Sequence, residues 1–145
     1  MSQVMIAQGE GRKPIQPSSV ALGIGFGLLP TIIVDQHFQR RERFSRLIAA
    51  VLLNPAMLGF GLDEGTAVEI DSSGRAEVLG KGALTIVDGS RLVVSNANGS
   101  NDNDGPMAFA GMRLDVLTKG WAYELATREA KSPRPDGSGR EQHRG

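Results

Sequence analysis

The residues of this chain best suited to chemistry lie close together. They are Asp35-Gln36-His37-Phe38, then Arg41, Arg43 and Arg46, then Gly61-x-Asp63-Glu64-x-Thr66. Histidine is the side chain matched to proton transfer near neutral pH, and guanidinium groups suit planar, bidentate recognition of carboxylates. The segment therefore presents one candidate base beside an anion-attracting patch, with a second, acidic edge at Asp63 and Glu64. Plainer readings stand beside this one. A histidine at a strand end can be structural, Arg43 and Arg46 can flank a helix as solvated charges, and Asp63-Glu64 can be a turn before a hairpin. Chemistry alone stops at an acid-binding α/β site.

The elements that must position these groups can be read from the spacing of apolar residues. A β-branched run predicts a buried strand over Thr31–Val34, ending at Asp35-Gln36-His37, and a shorter strand is expected around Val20–Ile24. Phe44, Leu47, Ile48, Val51 and Leu52 recur at helical spacing and predict a helix with one apolar stripe, closed by Asn54-Pro55. His37 thus falls between a strand and a helix N-terminus, where open α/β sheets place ligands and the backbone potential is positive. Two-residue alternation predicts a hairpin, Ala67–Ile70 and Arg75–Leu79 around Asp71-Ser72-Ser73-Gly74. Further strands are expected at Ala83–Val87 and Arg113–Thr118, and a strand or short helix at Trp121–Ala126. Residues 1–7 are expected to end an apolar helix, Ser95–Pro106 to form a loop, and 129–145 to be a disordered polar tail. The tetrapeptide Gly-Phe-Gly-Leu occurs at 25–28 and at 59–62, read as two backbone segments that approach a neighbour closely.

Other chemistries find no support. The Gly23/Gly25/Gly27 series has Leu28 where the third glycine of a dinucleotide fingerprint belongs, and Gly80-Lys81-Gly82 lacks the Ser or Thr of a phosphate loop. The Asn101–Gly105 run would put Gly111 at the bidentate acidic position of a calcium loop. Cysteine is absent and the second histidine, His143, falls in the tail, so no metal site and no cofactor are expected. Sixteen basic residues balance 16 acidic ones, which gives no net attraction to nucleic acid or an anionic membrane. The basic run from Arg40 to Arg46 is interrupted by Glu42 and has no aromatic platform for bases. No apolar stretch nears the roughly 20 residues that span a bilayer, and no signal peptide is visible. A cytoplasmic, soluble protein is the expectation.

Three linked motifs then carry a resemblance. They are Asp35-Gln36-His37-Phe38-x-x-Arg41-x-Arg43-x-x-Arg46-Leu47, Asn54-Pro55-x-x-Leu58-Gly59-x-Gly61-x-Asp63-Glu64-x-Thr66-Ala67, and Gly80-x-Gly82-x-x-Thr85-x-Val87-Asp88-Gly89. Together they resemble the cyanophycinase family of serine peptidases, relatives of aspartyl dipeptidase. The resemblance covers residues 1 to about 128, as the C-terminal part of one peptidase domain. It implies a class I glutamine amidotransferase-like (flavodoxin-like) α/β sandwich, a homodimer at full length, and hydrolysis of cyanophycin to β-Asp-Arg dipeptides. Cyanophycin is a poly-aspartate backbone bearing arginine on its β-carboxyls. The resemblance makes His37 the general base and Glu64 its orienting carboxylate, although an acid there could instead pair with a substrate guanidinium. It places Asp35, Gln36, Arg41, Arg43 and Arg46 around the substrate. One departure is large: no serine of this chain sits in the Gly-x-Ser-x-Gly setting of a nucleophile elbow. The favoured reading is a portion of a peptidase that supplies the base but not the nucleophile. The alternative is a non-catalytic remnant that binds aspartate-rich polymer or a partner chain.

Overall fold

The computed structural model describes residues 4–9, 14–38, 43–95 and 105–133. The first half of the chain gives β1 (Val4–Gly9), β2 (Val20–Ile24), β3 (Ile32–Gln36), α1 (Phe44–Leu53) and β4 (Leu58–Leu62). The second half gives β5 (Thr66–Ile70), β6 (Arg75–Gly80), β7 (Leu84–Asp88), β8 (Val94–Ser95), β9 (Phe109–Ala110), β10 (Arg113–Leu117), β11 (Ala122–Glu124) and β12 (Glu129–Lys131). Two four-stranded sheets, β10-β7-β4-β3 and β12-β11-β6-β5, stack face to face, and β1-β2 and β8-β9 form separate two-stranded pairs. Only β3 and β4 pair in parallel among the described ladders. The class is therefore α/β with mixed sheets. No helix among the described residues is long and apolar enough to cross a membrane.

Strand periodicity divides the core in two. Successive strand residues face opposite sides, so Ile32, Phe60, Leu84 and Ile86 enter the layer between the sheets, packed on Val78 and Tyr123. Ile33 and Val87 point the other way, onto α1. In β4 the residues toward the helix side are Gly59 and Gly61. A side-chain carbon at Gly59 would stand 2.8 Å from Val51, and one at Gly61 would stand 2.6 Å from the Phe38 ring. The second Gly-Phe-Gly-Leu is thus a strand with one bare face, which lets the helix and its lead-in sit close. In the first copy Phe26 and Leu28 are largely exposed.

The strands near Val20 and Thr31, the helix, the hairpin and the strands near Ala83 and Arg113 form as expected. The helix differs in character, since Ala49 and Ala50 are as deeply buried as Leu47 and Val51. The first sheet packs on one side of it, and β2 with the Pro17–Ser19 turn packs on another. Residues Val4–Gly9 are a strand paired with β2, not the end of a helix. Trp121–Ala126 resolves to a strand, β11. The polar stretch after Arg128 begins with β12, held by antiparallel pairing to β11. Residues 134–145, most of the expected tail, lie outside the described residues, as do 96–104 of the expected loop.

Candidate active site

Parallel pairing sets the C-terminal ends of β3 and β4 side by side, with Gln36 opposite Leu62. The residues that follow, His37 on one strand and Asp63-Glu64 on the other, therefore leave the sheet at one edge. The Nδ1 atom of His37 lies 3.2 Å from Oε1 of Glu64. With its proton on Nδ1, the imidazole donates to the carboxylate and keeps the Nε2 lone pair as an acceptor. The His37 side chain is 57% exposed and that of Glu64 33%, so substrate can reach the pair from solvent.

The backbone explains how His37 is aimed. Its φ is 54°, in the left-handed region, where a side chain costs about 1–2 kcal/mol. Such a conformation persists only when the flanking structure enforces it. On one side, Arg43 Nη1 donates to the carbonyl oxygen of Gln36 at 2.5 Å. On the other, the Phe38 N–H donates to the Leu62 carbonyl at 3.1 Å, and the buried Phe38 ring fills the space left by Gly61. Glu64 sits on a turn closed by the Thr66 N–H donating to the Asp63 carbonyl at 3.3 Å. Gly65 makes that turn with a φ of 67°. Asp63 faces elsewhere, its Oδ2 accepting from the Ala83 N–H at 3.2 Å. Of the two adjacent acids, Glu64 is the one that meets the histidine.

The cations divide sharply. Asp35 shares the helix-facing side of β3 with Ile33, and it is 2% exposed. A lone carboxylate there would be costly, so it requires paired, hydrogen-bonded cations. Arg46 supplies them from α1: its Nε donates to Oδ2 at 2.6 Å and its Nη2 to Oδ1. Arg46 also donates to the Gly9 carbonyl at 3.2 Å. Arg43 Nη1 adds a bond to Asp35 Oδ1 at 3.2 Å. Asp35 and Arg46, both expected around the substrate, are buried and engaged with each other. Arg43 is half-buried, and Gln36, on the opposite face of β3, is exposed. Arg41 lies outside the described residues, as do Arg40 and Glu42. Phe38 stood in the sequence motif without a role of its own, and Gly61, read there as part of a backbone segment that approaches a neighbour closely, meets the Phe38 ring. Among the described residues no group of three or more His, Asp or Glu side chains converges on a metal position.

Against this geometry stand the chain's known relatives. No family model matches it. It is 37% identical over 131 residues to the cyanophycinase of Synechococcus elongatus, a match covering 90% of this chain and 40% of that protein. With the cyanophycinase of Trichormus variabilis it shares 40% over 128 residues, covering 88% of this chain and 43% of the relative. With that of Geminocystis herdmanii it shares 36% over 129 residues, covering 89% and 47%. The chain thus spans less than half the length of these curated relatives.

Proposed function

Because this chain belongs, over the residues it matches, to the cyanophycinase family, we propose that it supplies the base and orienting acid of a serine-type site that hydrolyses cyanophycin. The observation that carries this reading is the His37–Glu64 pair, 3.2 Å apart at adjacent parallel strand ends, with the histidine open to solvent. In the proposed reaction a serine hydroxyl from outside this chain gives its proton to Nε2 of His37 while its oxygen attacks the substrate carbonyl. Glu64 holds the tautomer and steadies the imidazolium. His37 then passes the proton to the departing amine, and water, activated the same way, releases the acyl group. Gln36, Arg43 and Arg41 border the substrate, where the two arginines neutralise its carboxylates and the Gln36 amide hydrogen-bonds to it. Asp35 and Arg46 act behind them by fixing Arg43 and the end of β3. The same reading continues the first sheet into a glutamine amidotransferase-like domain.

The isolated chain is expected to be inactive toward cyanophycin. Joined to the part of the Synechococcus elongatus protein that it does not match, it is expected to release β-Asp-Arg dipeptides. In that enzyme His37→Ala should lower turnover on the order of 10⁴-fold. Glu64→Gln should cost less, and the double variant should be no worse than His37→Ala alone. Should a folded His37→Ala enzyme keep more than about a hundredth of the activity, His37 is not the base.

A further inference from the structure

Glu64 sits on a crossover between the two sheets, since Leu62 ends β4 and Thr66 begins β5. A second crossover runs beside it in the opposite direction, where Gly80 ends β6 and Leu84 begins β7. The two are fastened at both ends. Gly80 faces Thr66 in the β5–β6 register, and Leu84 faces Leu62 in the β4–β7 register. Between those pairs the Lys81 N–H donates to the Gly65 carbonyl at 2.9 Å and the Asp63 N–H to the Ala83 carbonyl at 3.1 Å. The Ala83 N–H returns a bond to Asp63 Oδ2 at 3.2 Å. Both chain neighbours of Glu64 are therefore tied to the second crossover.

The fit between them leaves no room for side chains at either glycine. A side-chain carbon at Gly80, where φ is 99°, would overlap the Gly65 carbonyl oxygen. At Gly82, outside the left-handed region, it would stand 2.5 Å from Thr66 Oγ1, 2.9 Å from Asp63 Cβ and 3.0 Å from the Glu64 carbonyl oxygen. The Thr66 hydroxyl is buried there and has no hydrogen-bond partner among the described residues. A buried hydroxyl without a partner is a cost, so close packing and not bonding sets it against Gly82. Given the role of Glu64 in the proposed function, on which this rests, we propose that Gly80-Lys81-Gly82 is the positioning element of the orienting acid. Gly82 is its critical residue. A carboxylate at the end of two methylenes swings with any shift of its backbone, and the acceptor it offers decides which imidazole nitrogen keeps the proton. The clamp holds the Glu64 backbone where Oε1 meets Nδ1 of His37, and so leaves Nε2 free to take a proton.

Ring-nitrogen NMR spectra of the full 145-residue chain at alkaline pH read the His37 tautomer, the signals being assigned by their loss in His37→Ala. Gly82→Ala should lower the ratio of Nδ1- to Nε2-protonated ring at least about fivefold, because the displaced carboxylate no longer accepts. Thr66→Ala/Gly82→Ala removes the nearest obstruction and should recover part of that ratio. If Gly82→Ala does not fold, the double variant carries the test, with a ratio still below the parent's. Gly74→Ala is the control at the far end of the β5–β6 hairpin, with a φ of 82° and nothing nearer than 3.8 Å. It should lose stability through its backbone alone and leave the ratio unchanged. In the chain joined to the unmatched part of the Synechococcus elongatus protein, Gly82→Ala should lower kcat at least about tenfold with KM close to the parent's. The parent's tautomer ratio in the folded glycine variant would overturn the proposal, as would an equal change in Gly74→Ala or an unchanged kcat. A shifted ratio alongside a joined parent that fails to cleave cyanophycin keeps the positioning and removes the proposed activity.

Discussion

A left-handed histidine makes opposite demands on position 37. The backbone there favours glycine, while proton transfer needs imidazole. His37→Gly is therefore expected to leave the free chain as stable or more stable, by up to about 1 kcal/mol, measured by urea denaturation. His37→Val should destabilise it, because a β-branched side chain tolerates positive φ poorly. The two neighbouring arginines separate in the same assay. Arg46→Met strands the buried Asp35 carboxylate and should cost about 3 kcal/mol, and the Asp35→Asn/Arg46→Met double variant should cost less than the two single changes combined. Arg43→Ala should cost far less stability but should shift the His37 ring resonances, since the Gln36 carbonyl loses its donor; Arg43→Lys should restore them in part. Unchanged His37 resonances in Arg43→Ala would remove the claim that Arg43 aims the histidine. The sequence marked both arginines alike, at i and i+3. Which one turns inward depends on where the sheet lies relative to the helix, and local spacing does not contain that.

At the level of elements, apolar alternation and helical spacing located β3, α1, the β5–β6 hairpin and β7, because each has an apolar side chain at nearly every inward position, and alternation also located β10, although its Leu114 and Val116 face outward and are exposed. β4 was less legible, since two of its five residues are glycines and glycine ordinarily weakens a strand. Its logic is tertiary: the bare face exists for Val51, Leu47 and Phe38. Gly61→Ala is accordingly expected to destabilise by about 1–3 kcal/mol through displacement of the Phe38 ring, with a matching drop in the proposed hydrolysis. Gly65→Ala meets nothing within 4 Å, so it should cost only the backbone term of about 1 kcal/mol. Equal losses at the two positions, in parallel denaturation curves, would show that the ring contact contributes nothing. β1 was misread because Val4, Met5 and Ala7 fit either period over so short a stretch. β12 gave no signal because Glu129-Ala130-Lys131 is held by its ladder to β11 rather than by burial.

Across the whole molecule, the end of the sheet opposite His37 carries a different charged cluster. Asp88 pairs with Leu58 at the start of β4 and is 3% exposed. Its Oδ1 accepts from Arg128 Nη1 at 2.5 Å and from the Ser90 N–H at 2.9 Å. Arg128 Nη2 also donates to the Ala56 carbonyl at 2.6 Å. Arg113 reaches the Tyr123 hydroxyl at 2.6 Å, tying the first sheet to the second. Burial pushes the Asp88 carboxyl upward, but hydrogen bonds from Ser90 and the Arg128 guanidinium outweigh it and hold the group below its ordinary value of 3.8. A carboxyl lowered on folding contributes stability that is complete above 3.8 and is lost as pH falls through the folded value. Asp88→Asn should therefore be less stable than the parent at about pH 6, with the difference closing below about pH 4, in urea titrations across that range. A difference independent of pH would assign the loss to packing instead of charge.

The parallel ladder between β3 and β4 has a kinetic side. A hairpin can zip outward from its turn, whereas parallel strands must wait for the connection between them to fold back. His37 and Glu64 are 27 residues apart, with α1 in between, so their pairing is a nonlocal event that pays its loop-closure entropy first. The chemical apparatus should therefore mature late, after the β5–β6 hairpin has acquired its protection. The chain has two histidines, His37 and His143, so the His37 ring signal, identified by its loss in His37→Ala and its persistence in His143→Ala, would time the birth of the site during refolding separately from the birth of the fold.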